Sequence, residues 1–227
     1  MTQQEYNIIE AHMLACMTDS AHDPFHIYRV LYAALDIAQT EDGVDGDLLI
    51  AACLLHDIAR DLQAQDPSVC HAHAGGEMAR VFLMDIGWNA ERAGLVREAI
   101  RTHRYRASSL PETLEAKILF DADKLDAAGA FGIARTLLYG GQTGEPLYAL
   151  DGEGMPITRG IPDEHTTFLQ EFNFKLLRVY DGFYTRRARE VAVKRRRAAM
   201  EFYEELLDEI GVAHREGGAL LARRLSD

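Results

Sequence analysis

The sequence predicts an all-α protein, a helical bundle with one long glycine-rich loop. Apolar residues recur every three or four positions through most of the 227 residues, which is the periodicity of helices with one buried face. Residues that start and stop helices stand at the ends of these segments. Strand-like alternation occurs only briefly, in PLYAL and MPITR. We find no internal repeat and no linker, and therefore expect a single domain over 1–227.

The first three helices are marked by their caps. One is predicted over about 3–17. A second starts at Asp23-Pro24, where an N-cap aspartate precedes a proline at the first helical position. The third, LLIAACLLHDIARDL, starts at Asp45 or Asp47 and is apolar all round, as buried helices are.

Four more helices are predicted in the middle of the chain. HAHAGGEMARVFLMDIG ends at Gly87, a residue typical of helix C-termini. Asn89 can cap ERAGLVREAIRTHR. Pro111 begins a helix through LEAKILFDA, and another is expected from Lys124 to about Leu138.

Residues 140–161, GGQTGEPLYALDGEGMPITRGI, are predicted to form the loop, because glycines and two prolines interrupt any helix there. A loop of this length within a compact domain is usually functional or mobile. It could cover a binding pocket, with its glycines as hinges. HTTFLQEFNFKLLRVYDGFY and the basic stretch leading to EFYEELLDEI then predict two long helices within about 165–223.

The bulk composition excludes several classes of protein. A formal net charge of −12 argues against binding a nucleic-acid polymer, which needs a broad basic surface. We see no membrane span and no signal peptide. The cysteines, Cys16, Cys53 and Cys70, lack CxxC spacing and indicate reduced thiols of a cytoplasmic protein. The amphipathic C-terminal helices could bury their apolar faces within one chain or in a homodimer.

The dipeptide His56-Asp57 is the most informative feature, because it ends a helix that is otherwise built to be buried. A buried carboxylate is costly unless it is paired or binds a metal. DPFHIYRV offers His26 upstream, and KILFDADKLDA offers Asp121 downstream. Two imidazoles and two carboxylates suit a divalent ion such as Mn²⁺, Fe²⁺, Ni²⁺, Zn²⁺ or Mg²⁺. The residues alone are equally compatible with a buried ion-pair network.

The ordered set His26, His56-Asp57 and Asp121 resembles the signature of the HD superfamily of metal-dependent phosphohydrolases. The flanking segments are similar to bacterial HD hydrolases of the YpgQ/YedJ type: HIYRV, LLHDIARD, HAHAGGEMA, AIRTHR, LEAKILFDADKLDAAGAFGIAR, LLYGG and NFKLLRVYD. The resemblance runs from about 23 to 207. It implies an all-helical HD domain with a metal-binding core at about 23–138, a divalent metal (Mn²⁺ favoured) on the four residues, and hydrolysis of a phosphate ester or anhydride.

Three further residues are candidates for catalysis. Asp61 lies four residues after Asp57, on the same face if the helix continues, and could act as general base or orient a water. An ordinary solvated aspartate at a helix end explains it equally well. Arg29, one turn after His26, could hold a phosphate or form a salt bridge to Asp57 or Asp61. Lys124 is a candidate phosphate contact.

Two histidines stand where some HD phosphodiesterases hold a second metal, His71 and His103. We expect one metal instead, with both histidines lining the pocket and binding substrate or water. Arg135 and Lys175 are further candidates for binding substrate phosphates. Two aspartates are expected to cap a helix or pair with basic residues: Asp123 and Asp126.

The resemblance and these residues predict a nucleotide pyrophosphohydrolase. A metal-activated water would attack a small phosphorylated substrate, a nucleoside or deoxynucleoside triphosphate, and release the monophosphate and pyrophosphate. The alternatives are a 5′-nucleotidase, a dinuclear HD phosphodiesterase, a non-catalytic nucleotide-sensing HD module and a di-iron oxygenase.

Overall fold

A computed structural model describes residues 1–17, 24–104, 110–160 and 167–226. Within these ranges the chain is helical, and the one β feature is an isolated antiparallel bridge between Leu150 and Pro156. The predicted all-α fold is confirmed. No helix in the described ranges is both long and apolar enough for a membrane span. The predicted cap Asp23 and the predicted loop end at Ile161 lie outside the described residues.

The described ranges hold α-helices and one 3₁₀ helix, Leu176–Tyr180. Their bounds are α1 Gln3–Cys16, α2 Pro24–Ala38, α3 Gly46–Leu55, α4 Arg60–Gln65, α5 His71–Asp85, α6 Ala90–Thr102, α7 Leu114–Asp126, α8 Gly129–Thr143, α9 Phe168–Phe174 and α10 Arg186–Ser226.

The chain divides into two compact units. The first comprises Met1–Asp126 and Phe183–Ala188, and the second comprises Ala127–Gly182 and Arg189–Asp227. A single domain over 1–227 was predicted, with no boundary at Asp126. The candidate site lies wholly within the first unit.

Helix α3 is the centre of the first unit. It packs against α1, α2, α5, α6 and α7, which explains why it is apolar on every side. Asp45 begins it as predicted: its side chain accepts hydrogen bonds from the amides of Asp47 and Leu48, both at 3.1 Å. A central helix of this kind brings the residues at its C-terminus next to several neighbouring helices at once.

The single helix predicted over LLIAACLLHDIARDL is wrong, because α3 ends at Leu55 and turns separate it from α4. His56 Nδ1 lies 2.7 Å from the carbonyl oxygen of Cys53, the acceptor that the amide of Asp57 would use in a continuing helix. The amide of Arg60 then bonds to the carbonyl three residues back, Asp57 O, at 3.0 Å. The side chain of the histidine thus stops the helix at the dipeptide.

Helix α7 also differs from the prediction. It continues through Lys124 to Asp126, and α8 begins only at Gly129, whose φ of 75° is a left-handed conformation that favours glycine. All three aspartates of DADKLD therefore lie on one helix.

The second unit is built around an apolar cluster from α8, α9, the 3₁₀ helix and α10: Ile133, Phe168, Leu169, Phe172, Leu176, Ala199, Tyr203 and Ile210. The rings of Phe172 and Tyr203 stack with centroids 4.3 Å apart. Of the two long C-terminal helices that were predicted, only α10 is long, at 41 residues, since the first is divided into α9 and the 3₁₀ helix.

The glycine-rich loop begins later than predicted. Helix α8 continues to Thr143, and Gly144 ends it with a φ of 77°. The bridge between Leu150 and Pro156 lies in the two segments whose alternation resembled strands, PLYAL and MPITR.

Two adjacent glycines of α5 provide a test of how closely α5 and α6 pack. A Cβ on Gly76 would lie 2.9 Å from the carbonyl oxygen of Arg97, whereas a Cβ on Gly75 meets nothing closer than Ala59 Cβ at 3.5 Å. Alanine normally stabilises a helix interior by about 1 kcal/mol over glycine. We expect Gly76→Ala to lower the free energy of unfolding by about 1–3 kcal/mol because the helices must separate.

Gly75→Ala is the matched control and should leave stability unchanged or slightly raised. Urea unfolding followed by circular dichroism measures both variants. Equal stability of the two would contradict the close approach at Gly76.

Candidate metal centre

Four histidines and two aspartates meet near the C-terminal end of α3. Helix α2, the turn after α3, helix α5, the end of α6 and helix α7 supply them: His26, His56, Asp57, His71, His103 and Asp123. His56 and His71 are fully buried, and Asp57 is 4% exposed. This concentration of titratable groups inside an apolar unit needs a chemical explanation.

Each of the four imidazoles is held by an oxygen acceptor at its Nδ1. The acceptors are Asp126 Oδ2 for His26 at 2.8 Å, Cys53 O for His56 at 2.7 Å, Gln63 Oε1 for His71, and Ile100 O for His103 at 2.6 Å. An Nδ1–H that donates to oxygen leaves the Nε2 lone pair free for a ligand. The same arrangement orients metal-binding histidines in general.

The first group consists of His26, His56 and Asp123. The Nε2 atoms of His26 and His56 are 3.3 Å apart. Asp123 Oδ1 lies 3.4 Å from His26 Nε2 and 4.0 Å from His56 Nε2. Burial opposes a charge on His26, but hydrogen bonds with Asp123, Asp126 and Asp57 outweigh it and raise its pKa well above the usual range. A bound cation can replace the proton that this arrangement attracts.

The second group consists of Asp57, His71 and His103. Asp57 Oδ1 lies 3.4 Å from His71 Nε2 and 3.7 Å from His103 Nε2. All three atoms are buried and have no hydrogen-bond partner among the described residues. Such unsatisfied groups are costly, and a cation between them would satisfy all three. These orphaned atoms fit a metal.

Both histidines of the second group stay neutral at pH 7. Burial, then the charge of Arg60, lowers the pKa of His71 to about 3. Burial, then the charge of His56, lowers the pKa of His103 to about 4. Neutral imidazoles keep their Nε2 lone pairs available as ligands or hydrogen-bond acceptors.

Asp57 faces both groups with one oxygen each. Its Oδ2 lies 3.6 Å from the Nε2 atoms of His26 and His56, while its Oδ1 faces the second group. Burial would raise the pKa of Asp57, but the charge of His56, the hydrogen bond with His26 and the charge of Arg60 hold it well below its usual range. The ionised carboxylate is placed as a bridge between two ligand groups.

The structure differs from the sequence prediction at the fourth ligand, because Asp121 belongs to neither group. Its carboxylate accepts the amides of Tyr184 and Thr185 and the Thr185 hydroxyl at 2.7–3.1 Å. Residues two positions apart on a helix point about 200° apart. Asp123, which was expected only to cap or to pair, is therefore the aspartate of α7 that faces His26 and His56.

The predicted catalytic residues Arg29 and Lys124 have contacts of their own. Arg29 donates two hydrogen bonds to Asp126, at 2.7 and 3.1 Å, and so holds the acceptor that orients His26. Lys124 Nζ lies 5.3 Å from the ring centroid of Phe120, a cation–π contact.

Asp61 was predicted to share a helical face with Asp57. The turns between α3 and α4 remove that common face. Burial, then the charge of Asp61, raises the pKa of the Cys16 thiol at the end of α1. Arg135 and Lys175 belong to the second unit. Lys175 pairs with Glu171 at 2.7 Å, and its side chain is 70% exposed.

Sequence reasoning missed two arginines beside the second group, Arg60 and Arg104. Arg60 Nε donates to Asp57 Oδ2 at 3.1 Å. The charges of both arginines contribute to the lowered pKa of His71. Their positions, three residues after Asp57 and directly after His103, were the available signal.

Known proteins resemble this chain in sequence and structure. The family model described as HD domain matches residues 25–128. The Bacillus subtilis protein YpgQ is 30% identical over 195 residues, covering 84% of this chain and 85% of YpgQ.

Solved structures of similar proteins cover nearly the whole chain. The structure of Bacillus subtilis YpgQ in complex with ADP is 28% identical, with a TM-score of 0.69, over 91% of this chain and 95% of that one. An HD-superfamily hydrolase from Bacillus thuringiensis is 30% identical, with a TM-score of 0.68, over 92% of this chain and 98% of that one. A predicted HD-superfamily hydrolase from an uncultured Thermotogales bacterium is 30% identical, with a TM-score of 0.59, over 91% of each chain.

Proposed function

This chain belongs to the HD superfamily of metal-dependent phosphohydrolases, and from that premise we propose that it is a nucleotide pyrophosphohydrolase. It would cleave a nucleoside or deoxynucleoside triphosphate into the monophosphate and pyrophosphate. The observation that carries the proposal is the convergence of four oriented imidazoles on the ionised carboxylate of Asp57. The ADP in the YpgQ structure supports a nucleotide as the ligand class.

The resident metal would be held by His26, His56, Asp57 and Asp123. Mixed imidazole and carboxylate ligands are compatible with Mn²⁺, which we favour, and with Mg²⁺, Ni²⁺, Fe²⁺ or Zn²⁺. A divalent ion there supplies Lewis-acid chemistry, since it makes water more acidic and offsets negative charge on a phosphoryl group.

The chain's own residues orient that chemistry. Arg29 holds Asp126, and Asp126 holds the ring of His26 through its Nδ1. The neutral Nε2 atoms of His71 and His103 can accept hydrogen bonds from a water or from a protonated phosphate oxygen. Four more residues stay predictions: Asp61 as a general base, and Lys124, Arg135 and Lys175 as phosphate contacts.

A dinuclear phosphodiesterase is the second candidate, because Asp57, His71 and His103 form a complete second ligand group. Asp57 would then bridge two ions. Metal content of the purified, metal-loaded protein distinguishes the two proposals. A stoichiometry near one ion per chain supports the mononuclear enzyme, and a stoichiometry near two supports the dinuclear enzyme.

The deciding experiment is an activity screen with product identification. Metal-free protein is loaded with each divalent ion in turn and offered nucleoside tri-, di- and monophosphates and cyclic dinucleotides. Monophosphate plus pyrophosphate is the expected product pair. Release of nucleoside and phosphate from monophosphates would favour a 5′-nucleotidase. Opening of cyclic dinucleotides would favour a phosphodiesterase. Release of neither phosphate nor pyrophosphate with any metal would overturn the proposed function.

A further inference from the structure

Arg104 carries an unused hydrogen-bond donor next to the second ligand group. It directly follows His103, just after the end of α6. Its Nη1 is buried and has no hydrogen-bond partner among the described residues. A buried donor without a partner is unfavourable, and more so when it belongs to a charged group. An anionic oxygen from a ligand would satisfy it.

The charge of Arg104 acts on His71 of the second ligand group. It contributes to the lowered pKa of His71, as does the charge of Arg60. Arg60 already donates to Asp57 Oδ2 at 3.1 Å. The charges of two guanidinium groups therefore act on the same histidine, and one of these groups, Arg60, is already bound to Asp57. The buried Nη1 of Arg104 has no such partner in the described part of the chain.

Asp57 and Arg104 would serve two different phosphates of one substrate. The phosphoryl group under attack belongs next to Asp57 and the first group, where the metal would be held. Arg104 directly follows His103 of the second group, and its charge acts on His71. A guanidinium binds phosphate with two parallel hydrogen bonds and keeps its charge at every physiological pH. A second phosphate, joined to the phosphate under attack, would extend towards the guanidinium of Arg104.

We propose that Arg104 determines specificity by binding the phosphate next to the one attacked, so that the centre selects phosphoanhydrides over phosphate monoesters. The inference rests on the proposed function for its substrate, a nucleoside triphosphate whose pyrophosphate part departs. Its ligand chemistry, a pyrophosphate group bound by Arg104, can be tested without any turnover.

The test compares Arg104→Ala and Arg104→Lys with Arg101→Ala in metal-loaded protein. Arg101 is the matched control, because it lies one turn earlier in α6 and its guanidinium pairs with Glu98 at 3.1 Å. Titration calorimetry with inorganic pyrophosphate measures binding directly. Loss of a hydrogen bond to a charged group predicts binding about 10- to 100-fold weaker in Arg104→Ala. Arg104→Lys should recover part of the loss, and Arg101→Ala should bind like the wild type.

Two activity measurements complete the test. Arg104→Ala should lower kcat/KM for the triphosphate by the same factor as pyrophosphate binding, while hydrolysis of p-nitrophenyl phosphate changes less than about twofold. Metal content must equal that of the wild type, because Arg104 adjoins His103. Unchanged pyrophosphate binding, or equal losses on both substrates, would overturn the proposal. If no triphosphate is hydrolysed at all, the proposed function fails, and the pyrophosphate titration still decides the role of Arg104.

Discussion

Asp57→Asn is expected to abolish metal binding and hydrolysis while the helical fold is retained. The carboxylate faces both ligand groups, with Oδ2 3.6 Å from the Nε2 atoms of His26 and His56 and Oδ1 3.4 Å from His71 Nε2. Loss of a residue that merely orients a metal ligand costs about 10- to 100-fold in metal affinity or activity. Asp57→Asn should lower metal affinity and activity by more than about 100-fold, because the variant removes a metal ligand and its charge.

Elemental analysis of the metal-loaded variant and turnover of the best substrate measure the two effects. Asp36→Asn is the matched control, since Asp36 is an ion-paired carboxylate of the same unit that bonds to Arg187 at 2.8 Å. That variant should keep both its metal and its activity. Full activity in Asp57→Asn would remove the proposed centre. Circular dichroism of both variants shows whether the helices are intact.

The two neighbouring aspartates of α7 should give opposite phenotypes. Asp123→Asn removes a carboxylate oxygen 3.4 Å from His26 Nε2 and is expected to lower metal affinity by more than about 100-fold with the fold retained. Asp121→Asn should keep the metal but lower the free energy of unfolding by about 1–3 kcal/mol. The Asp121 carboxylate accepts the hydrogen bonds from Tyr184 and Thr185 with two oxygens. An asparagine would have only one acceptor oxygen for the same donors.

Metal content and urea unfolding of the two variants form one paired measurement. Each variant is the other's control, because the change from carboxylate to amide is the same and the positions are two residues apart. Metal loss in Asp121→Asn together with metal retention in Asp123→Asn would restore Asp121 as the ligand and overturn the present assignment.

Local information was enough to predict several helix ends. Asn89 accepts a hydrogen bond from the amide of Arg92 at 2.8 Å, as expected of an N-cap. Gly87 adopts a φ of 102°, as expected of a residue that follows a helix. Such caps depend on a few adjacent residues, so the local sequence is enough to predict them. The end of α3 was missed because a side chain, His56, takes the Cys53 carbonyl from the backbone.

An all-α fold was predictable from the sequence, and the resemblance to the HD superfamily added the expectation of a metal on His26, His56 and Asp57. His71 and His103 were expected to line the same pocket, and all five residues belong to two groups that could hold a metal ion. The sequence did not predict that Asp123 lies in one of these groups and that Asp121 does not, because that difference depends on tertiary packing. The two carboxylates are chemically the same, so composition and order cannot separate them. The rotation of α7, which packs against α2, α3 and α6, turns one towards the histidines and the other towards Thr185.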